Sequence, residues 1–196
     1  MNDHKGFFAM MARMKYIERW ALMRNSVSEN ICEHSLEVAM LAHGLGIIGR
    51  KRFGKDLSPE RLAMLGMYHD CTEIITGDMP TPVKYVNDEL KEAYKAIEDS
   101  AAHRLLEMLP EDLRAEYESY FLPEQITPEE YRYVKAADKL SALIKCIEEE
   151  KTGNQEFRSA KQATYESLQQ MNMPEVTVFC EVFLPEYYKT LDELEH

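Results

Sequence analysis

Three features of the sequence predict an all-α fold. Helix-forming Ala, Leu, Met, Glu and Lys dominate long stretches, runs of alternating β-branched residues are scarce, and eight glycines with eight prolines punctuate the stretches between. Helices are expected over residues 4–17, 30–49, 58–70, 87–109, 127–151, 155–171 and 174–189. The second starts at Asn30-Ile-Cys-Glu33, a capping pattern, and carries Ile31, Val38, Leu41, Leu45 and Ile48 on one side. Ser58-Pro59-Glu60 opens the third and Thr127-Pro128-Glu129-Glu130 the fifth, each with a hydroxyl cap before a proline whose missing N–H would be unsatisfied at the first helical position anyway. Glu130 completes a capping box on Thr127. The other four are assigned on composition. Gly77-Asp-Met-Pro-Thr-Pro-Val-Lys84 breaks the pattern, because Pro80 and Pro82 remove two donors and hold their predecessors extended. A rigid loop is expected there, following a short polar helical segment, and with it a binding edge. The acidic runs Glu148-Glu149-Glu150 and Asp192-Glu193-Leu194-Glu195 are expected to be solvated helix ends.

Composition bounds what the chain can do. Its 196 residues, 45% of them hydrophobic and 10% aromatic, suffice for one domain over 1–196 whose core needs neither disulfides nor metal staples. With 35 acidic against 23 basic side chains the net charge is −12, which argues against coating a nucleic acid polymer or an anionic membrane. A local basic pocket for one small anion is still allowed. No apolar run approaches the roughly 18–20 residues that cross a bilayer, so no membrane span is expected. The opening Met1-Asn-Asp-His-Lys-Gly-Phe-Phe lacks the pattern of an export leader. Cys32, Cys71, Cys146 and Cys180 never form a Cys-x-x-Cys pair, and reduced thiols in the cytoplasm are the expectation.

Six histidines are present. His4 and His196 lie at the ends and His103 on a charged helix face. His43 follows His34 by nine residues, and at about 100° per residue it falls on the opposite side of the same helix. The two that remain each adjoin an acid: Glu33-His34-Ser35 and Tyr68-His69-Asp70. Asp138 interrupts an apolar helix of Tyr131, Val134, Ala137, Leu140, Leu143, Ile144 and Ile147 near its inward face, where a bare carboxylate is costly. A cationic partner, a hydrogen-bonding cap or a metal ion would each remove that cost. A His-Asp dipeptide alone ordinarily means a local hydrogen bond. Together, two imidazoles and two carboxylates on three helices make a mixed nitrogen and oxygen set suited to a divalent Mn, Fe, Co, Ni or Zn ion, with open positions for water and a substrate oxygen. Glu73, about one helical turn beyond Asp70, can face the same site and handle a proton of that water.

The order His34, His69-Asp70, Asp138 on a helical chain resembles the HD-domain metal-dependent phosphohydrolases. Four longer segments are similar to the bacterial 5′-deoxynucleotidase branch: Arg19-Trp20-Ala-Leu-Met-Arg-Asn25, Ser28-Glu-Asn-Ile-Cys-Glu-His-Ser35, Met67-Tyr-His-Asp-Cys-Thr-Glu-Ile-Ile-Thr-Gly-Asp-Met-Pro-Thr-Pro-Val-Lys84 and Lys135-Ala-Ala-Asp138. The resemblance spans almost the whole chain. It implies a single HD-type helical bundle holding one divalent transition metal, such as cobalt or manganese, on His34, His69, Asp70 and Asp138. It implies hydrolysis of deoxyribonucleoside 5′-monophosphates to deoxyribonucleosides and phosphate, by a homodimer. Glu73 matches an acid required for catalysis, and Asp78 one that accepts from the sugar 3′-hydroxyl or serves the proton transfers. Arg19 matches a phosphate contact, Trp20 a bulky group that disfavours a 2′-hydroxyl, and Thr81 and Lys84 are secondary substrate contacts.

The chemistry of these residue types agrees with the implied roles without requiring them. Arg presents a planar fork matched to two phosphate oxygens, although an arginine is ordinarily a surface ion pair. Trp20 is the chain's one tryptophan, and such a residue ordinarily packs a core, yet a rigid indole against C2′ excludes an added oxygen by overlap. Asp78 after Gly77 is a turn former as readily as a fixed acceptor. Two rivals stand beside this reading: hydrolysis of another nucleotide phosphate ester, whether triphosphate, cyclic or signalling, and a non-catalytic helical interaction protein whose His and Asp residues are merely buried and paired.

Overall fold

The computed structural model describes residues 5–84 and 86–195, except the side chain of Thr81; His4 and His196 lie outside them. Among the described residues the regular structure is helical, with one isolated antiparallel bridge between Glu18 and Asn30. The chain runs α1 (Phe7–Met11), a 3₁₀ turn, α2 (Ile31–Phe53), α3 (Pro59–Tyr68), α4 (Glu73–Thr76), α5 (Thr81–Lys84) and α6 (Asp88–Leu106). It continues through α7 (Glu111–Phe121), a 3₁₀ turn over Pro123–Gln125, α8 (Pro128–Lys151), α9 (Arg158–Gln170), α10 (Pro174–Val182), a third 3₁₀ turn over Leu184–Tyr188 and α11 (Leu191–Leu194).

The predicted starts hold at the level of individual hydrogen bonds. Asn30 accepts from the backbone N–H groups of Cys32 and Glu33, and Glu33 answers to the Asn30 N–H. Ser58 accepts from Arg61, and Thr127 forms the reciprocal box with Glu130. Several expectations change: the helix expected over 174–189 is α10 followed by the 3₁₀ turn Leu184–Tyr188, and α7 is a helix that was not expected. The helix expected over 4–17 is two pieces, α1 and the 3₁₀ turn Ala12–Tyr16. The helix expected to 70 stops at Tyr68, which leaves His69 and Asp70 in the turn that follows. The proline loop after Gly77 contains the short helix α5, since Val83 and Lys84 both donate to Pro80 O.

Two apolar clusters form the core. One gathers Val38, Leu41, Leu45, Leu62, Tyr133, Leu140, Ile144, Ile147 and Leu168 from α2, α3, α8 and α9. The other gathers Phe7, Met14, Ile31, Cys71, Leu105 and Phe121. Helix α2 belongs to the second cluster at Ile31 and to the first at Val38, so His34 sits at the seam between them. By length and composition α2 could cross a bilayer, but more than half of its apolar stretch is buried in the fold against α3 and α8. Glycine sets the closeness of that packing: a Cβ on Gly66 would lie 3.0 Å from Ala39 Cα and one on Gly46 would lie 2.9 Å from a Leu62 methyl. Tyr131, expected on the apolar face of α8, is 58% exposed, because Tyr133, two residues on and so on the opposite side of the helix, is the tyrosine turned into the core.

Candidate active site

Three segments meet at this seam. His34 lies one turn into α2, His69 and Asp70 follow α3, and Asp138 lies near the middle of α8. Ligand-type atoms of His34, His69 and Asp70 fall within 4.8 Å of one another. Asp70 Oδ2 is 3.1 Å from His69 Nε2 and 3.4 Å from His34 Nε2, and Asp138 Oδ1 reaches the same His34 nitrogen at 3.3 Å. The four side chains singled out in the sequence are thus neighbours around two imidazole nitrogens.

The groups behind the imidazoles fix their orientation. His69 Nδ1 is 2.7 Å from Gly66 O, an acceptor only, so Nδ1 carries a proton and the Nε2 lone pair points inward. His34 Nδ1 is 3.0 Å from Ser141 Oγ, whose hydroxyl donates to Glu37. Both Nε2 atoms are buried and without a hydrogen-bond partner, an arrangement that buried polar atoms rarely adopt unless something else is to bind there. Two orphaned imidazole nitrogens beside two carboxylates fit a borderline divalent cation.

Electrostatics point the same way. Burial alone lifts the Asp138 carboxyl, but Lys135 Nζ at 2.8 Å and the two histidines hold it far below the usual carboxylate range. Burial and Arg19 lower the His34 imidazolium, yet Asp138, Asp70 and Glu29 outweigh them and raise it to about 10. The cluster therefore gathers positive charge. Glu73, the first residue of α4, is 7% exposed, with Oε2 unpartnered. Burial first, then Asp70 and Asp78, push its carboxyl up to about 9 against the pull of Arg19 and Lys84. Asp78 is raised chiefly by burial, opposed by Arg19.

Arg19 and Trp20 sit on a loop whose neck is closed by Arg19 N donating to Glu29 O and Ile31 N to Ile17 O, both at 2.9 Å. Arg19 Nη1 lies 2.6 Å from His34 Nδ1, and Nη2 4.0 Å from Asp138 Oδ1. The Trp20 indole stands against the buried Phe157 ring at 5.2 Å. Lys84 is engaged elsewhere, with Nζ 2.8 Å from Glu98 and over the Tyr94 ring. Thr81, another expected substrate contact, has its side chain outside the described residues. His43 and His103 are exposed, as expected.

Sequence reasoning missed four polar residues that support the site. Ser141 lies one turn after Asp138 on the same face of α8, and Glu37 one turn after His34; that spacing was the available signal. Glu29 had no signal beyond its place in the Ser28–Ser35 segment. Glu149 was misassigned: far from being a solvated helix end, it is 1% exposed. It accepts from the N–H groups of Ser26 and Val27, from Asn154 and from Lys145, and so anchors the tip of the Arg19–Trp20 loop to α8. The run of three glutamates conceals that successive residues of a helix point about 100° apart, so that the middle one faces inward between two exposed neighbours.

The all-helical bundle has the fold of the HD-domain phosphohydrolases. A crystal structure of an HD-domain phosphohydrolase from Listeria innocua shares the fold with a TM-score of 0.80 at 21% identity, covering 96% of this chain and 91% of that one. The cyanophage S-2L HD phosphohydrolase DatZ, solved with dA and one catalytic Zn²⁺ ion, shares it with a TM-score of 0.64 at 23% identity over 93% and 96%. The model of the 5′-deoxynucleotidase YfbR-like family matches residues 6–187, and the chain belongs to that family. A 5′-deoxynucleotidase of Vibrio cholerae serotype O1 is 48% identical over 188 residues, which are 96% of this chain and 97% of the relative. The 5′-deoxynucleotidase YfbR of Shigella boydii serotype 18 is 46% identical over 96% of this chain and 94% of its own.

Proposed function

We propose that this enzyme hydrolyses deoxyribonucleoside 5′-monophosphates to deoxyribonucleosides and phosphate, with His34, His69, Asp70 and Asp138 holding one divalent transition metal such as cobalt or manganese. The observation that carries the reading is the pair of buried, unpartnered Nε2 atoms facing Asp70 and Asp138. The names of the Vibrio and Shigella relatives and the dA and Zn²⁺ of DatZ support it. A bound divalent ion supplies a Lewis acid toward a phosphate oxygen and makes water a better nucleophile near neutral pH.

The chain's own residues do the rest. Arg19 offers its guanidinium fork to the phosphate and offsets charge as water attacks phosphorus in line with the 5′-oxygen. Glu73, whose carboxyl the charge of a bound cation would draw down from its metal-free value, orients that water or takes its proton. The P–O5′ bond breaks, and the departing 5′-oxygen takes a proton from Asp78 or from a second water, Asp78 also meeting the 3′-hydroxyl. Trp20 stands against C2′ and excludes a ribose hydroxyl by overlap, a rejection that depends on rigidity. Thr81 and Lys84 complete the substrate contacts, Lys84 through its charge. The chain acts as one unit over 1–196, as a homodimer in the cytoplasm. Support for the dimer is the apolar pair Leu36 and Met40, exposed one turn apart on α2; support for the compartment is four free cysteines.

The test is phosphate release from matched deoxyribo and ribo monophosphates, triphosphates and cyclic nucleotides, each with cobalt, manganese and zinc. Deoxyribo monophosphates should be preferred, and Trp20→Ala should retain hydrolysis while narrowing the preference for deoxy over ribo. Faster release from triphosphates or cyclic nucleotides would favour a different phosphate ester, and an unchanged ratio in Trp20→Ala would remove the steric role. No release with any metal would favour a non-catalytic helical protein.

A further inference from the structure

Trp20 is held in a conformation that a bulky residue seldom adopts. Its φ is +59°, in the left-handed region, so its Cβ crowds its own backbone and neighbouring groups must hold it there. Its carbonyl accepts from Met23 N at 2.9 Å and from Asn25 Nδ2 at 3.3 Å, and Arg19 just before it donates its backbone N–H to Glu29 O at 2.9 Å. Those contacts fix the backbone and leave the indole free to turn about its side-chain bonds. Phe157 packs against the ring at a tilt of 60°, which limits that turning without choosing a single orientation.

One carboxylate chooses it. Glu29 Oε2 accepts from Trp20 Nε1 at 2.7 Å, while its other oxygen, Oε1, accepts from Arg19 Nη1 at 3.0 Å. The Arg19 and Glu29 side chains are each 12% exposed, so these bonds form largely away from solvent, where charge-assisted bonds are strongest. The Arg19 Cζ lies 5.7 Å from the Trp20 ring centroid, which places the two donors side by side on one acceptor. We infer that Glu29 is the positioning residue that locks the Trp20 indole and the Arg19 fork into one rigid unit, so that phosphate capture and rejection of the 2′-hydroxyl are set by a single carboxylate. This rests on the proposed roles of Arg19 and Trp20. The loop does not depend on Glu29 for its course, because its neck is closed by backbone bonds and its tip is fastened by Glu149.

Glu29→Gln tests it. The amide keeps the size but has one acceptor oxygen for two donors, so either the indole or the guanidinium is released. Because Trp20 is the only tryptophan, its fluorescence reports the indole without interference. In Glu29→Gln, acrylamide quenching should rise and anisotropy fall, the deoxy-over-ribo ratio of kcat/KM should drop by about tenfold, and KM for the monophosphate should rise more than kcat falls. Trp20→Phe, which keeps a ring but loses the Nε1–H, should lower the ratio by itself. In that background Glu29→Gln should lower it no further. Unchanged quenching in Glu29→Gln overturns the clamp whatever the substrate ratio does, whereas a wild-type enzyme indifferent to the 2′-hydroxyl overturns the assigned role of Trp20 while quenching still reports the clamp. Glu29 Oε1 is also 3.5 Å from His34 Nδ1, so loss of bound metal in Glu29→Gln, read by elemental analysis, would overturn the proposal in favour of a role at His34. Should Glu29→Gln not fold, acrylamide quenching in Glu29→Asp, which keeps the charge but shortens the reach by one methylene, decides: a rise supports the clamp, and wild-type quenching overturns it.

Discussion

Glu149 shows how far a single side chain can depart from what its neighbours in sequence suggest. Burial raises its carboxyl, but Lys145, Asn154 and the Ser26 N–H outweigh burial and lower it to about 2, against an ordinary value of 4.5. A depressed folded-state pKa contributes stability that is fully present above about pH 4.5 and is lost as pH falls toward about 2. Glu149→Gln should therefore flatten that part of the acid-denaturation curve, and at pH 7 it should cost about 3–5 kcal/mol because Lys145 is left buried beside a neutral group. Melting curves from pH 7 down to pH 2 check both, and an acid limb identical to wild type would refute the depressed pKa. The contrast with Asp138 explains which residues were legible. Asp138 stands out as a charge among apolar positions of α8, and His69-Asp70 as a charged pair, so pattern alone marks them. Glu149 sits between two other glutamates, and Glu29 and Ser141 are ordinary polar residues whose roles arise from partners 123, 9 and 107 positions away. No local pattern encodes a partner that distant.

Helices were legible where their signal is local. Caps at Asn30, Ser58 and Thr127 read directly, because a cap is a contact within three residues. Helix α7 did not read, since Glu111–Phe121 is acidic and buries fully only Phe121, so its apolar periodicity is faint. The pairing of α2 with α3 was also invisible, although it sets the distance between the two imidazoles. Gly66 governs that pairing: a Cβ there would meet Ala39 Cα at 3.0 Å, Ala39 N at 3.1 Å and Val38 C at 3.1 Å, and backbone atoms cannot swing aside as a side-chain tip does. Gly66 O also accepts the hydrogen bond from His69 Nδ1–H. Gly66→Ala should push α3 off α2, cost about 1–3 kcal/mol and weaken metal binding by separating His69 from His34. Gly44, on the same α2 but with nothing within 4 Å of a built Cβ, is the control. Gly44→Ala should stabilise by about 0.5–1 kcal/mol through helix propensity. Melting temperature and metal titration on both variants decide, and equal effects at the two positions would refute the packing argument.

Across the whole molecule, the site ties together segments that the chain brings in separately. The start of α2, the turn after α3 and helix α8 are joined by apolar packing, yet at the seam they and the loop leading into α2 bring Asp70, Asp138 and Glu29 around His34 in a protein of net charge −12. Like charges so placed oppose folding, and in this structure Lys135, Arg19 and a protonated His34 offset them. A cation bound between His34, His69, Asp70 and Asp138 would offset them more completely and would exist only in the folded chain, so its binding free energy adds to stability. At a free metal concentration 100 times the dissociation constant the gain is about 2.7 kcal/mol. For a chain of this length each kcal/mol moves the midpoint by about 2–4 °C, so chelation should lower the melting temperature by about 5–10 °C and restoring the metal should recover it. Asp138→Asn removes one carboxylate from the set while leaving the apolar face of α8 intact. Its melting temperature should respond much less to metal, and its bound metal and activity should fall together. Calorimetry of chelated and metal-loaded protein, wild type and variant, measures this directly. A wild-type midpoint indifferent to cobalt, manganese and zinc would refute the site, and full metal stoichiometry in Asp138→Asn would remove that residue from it.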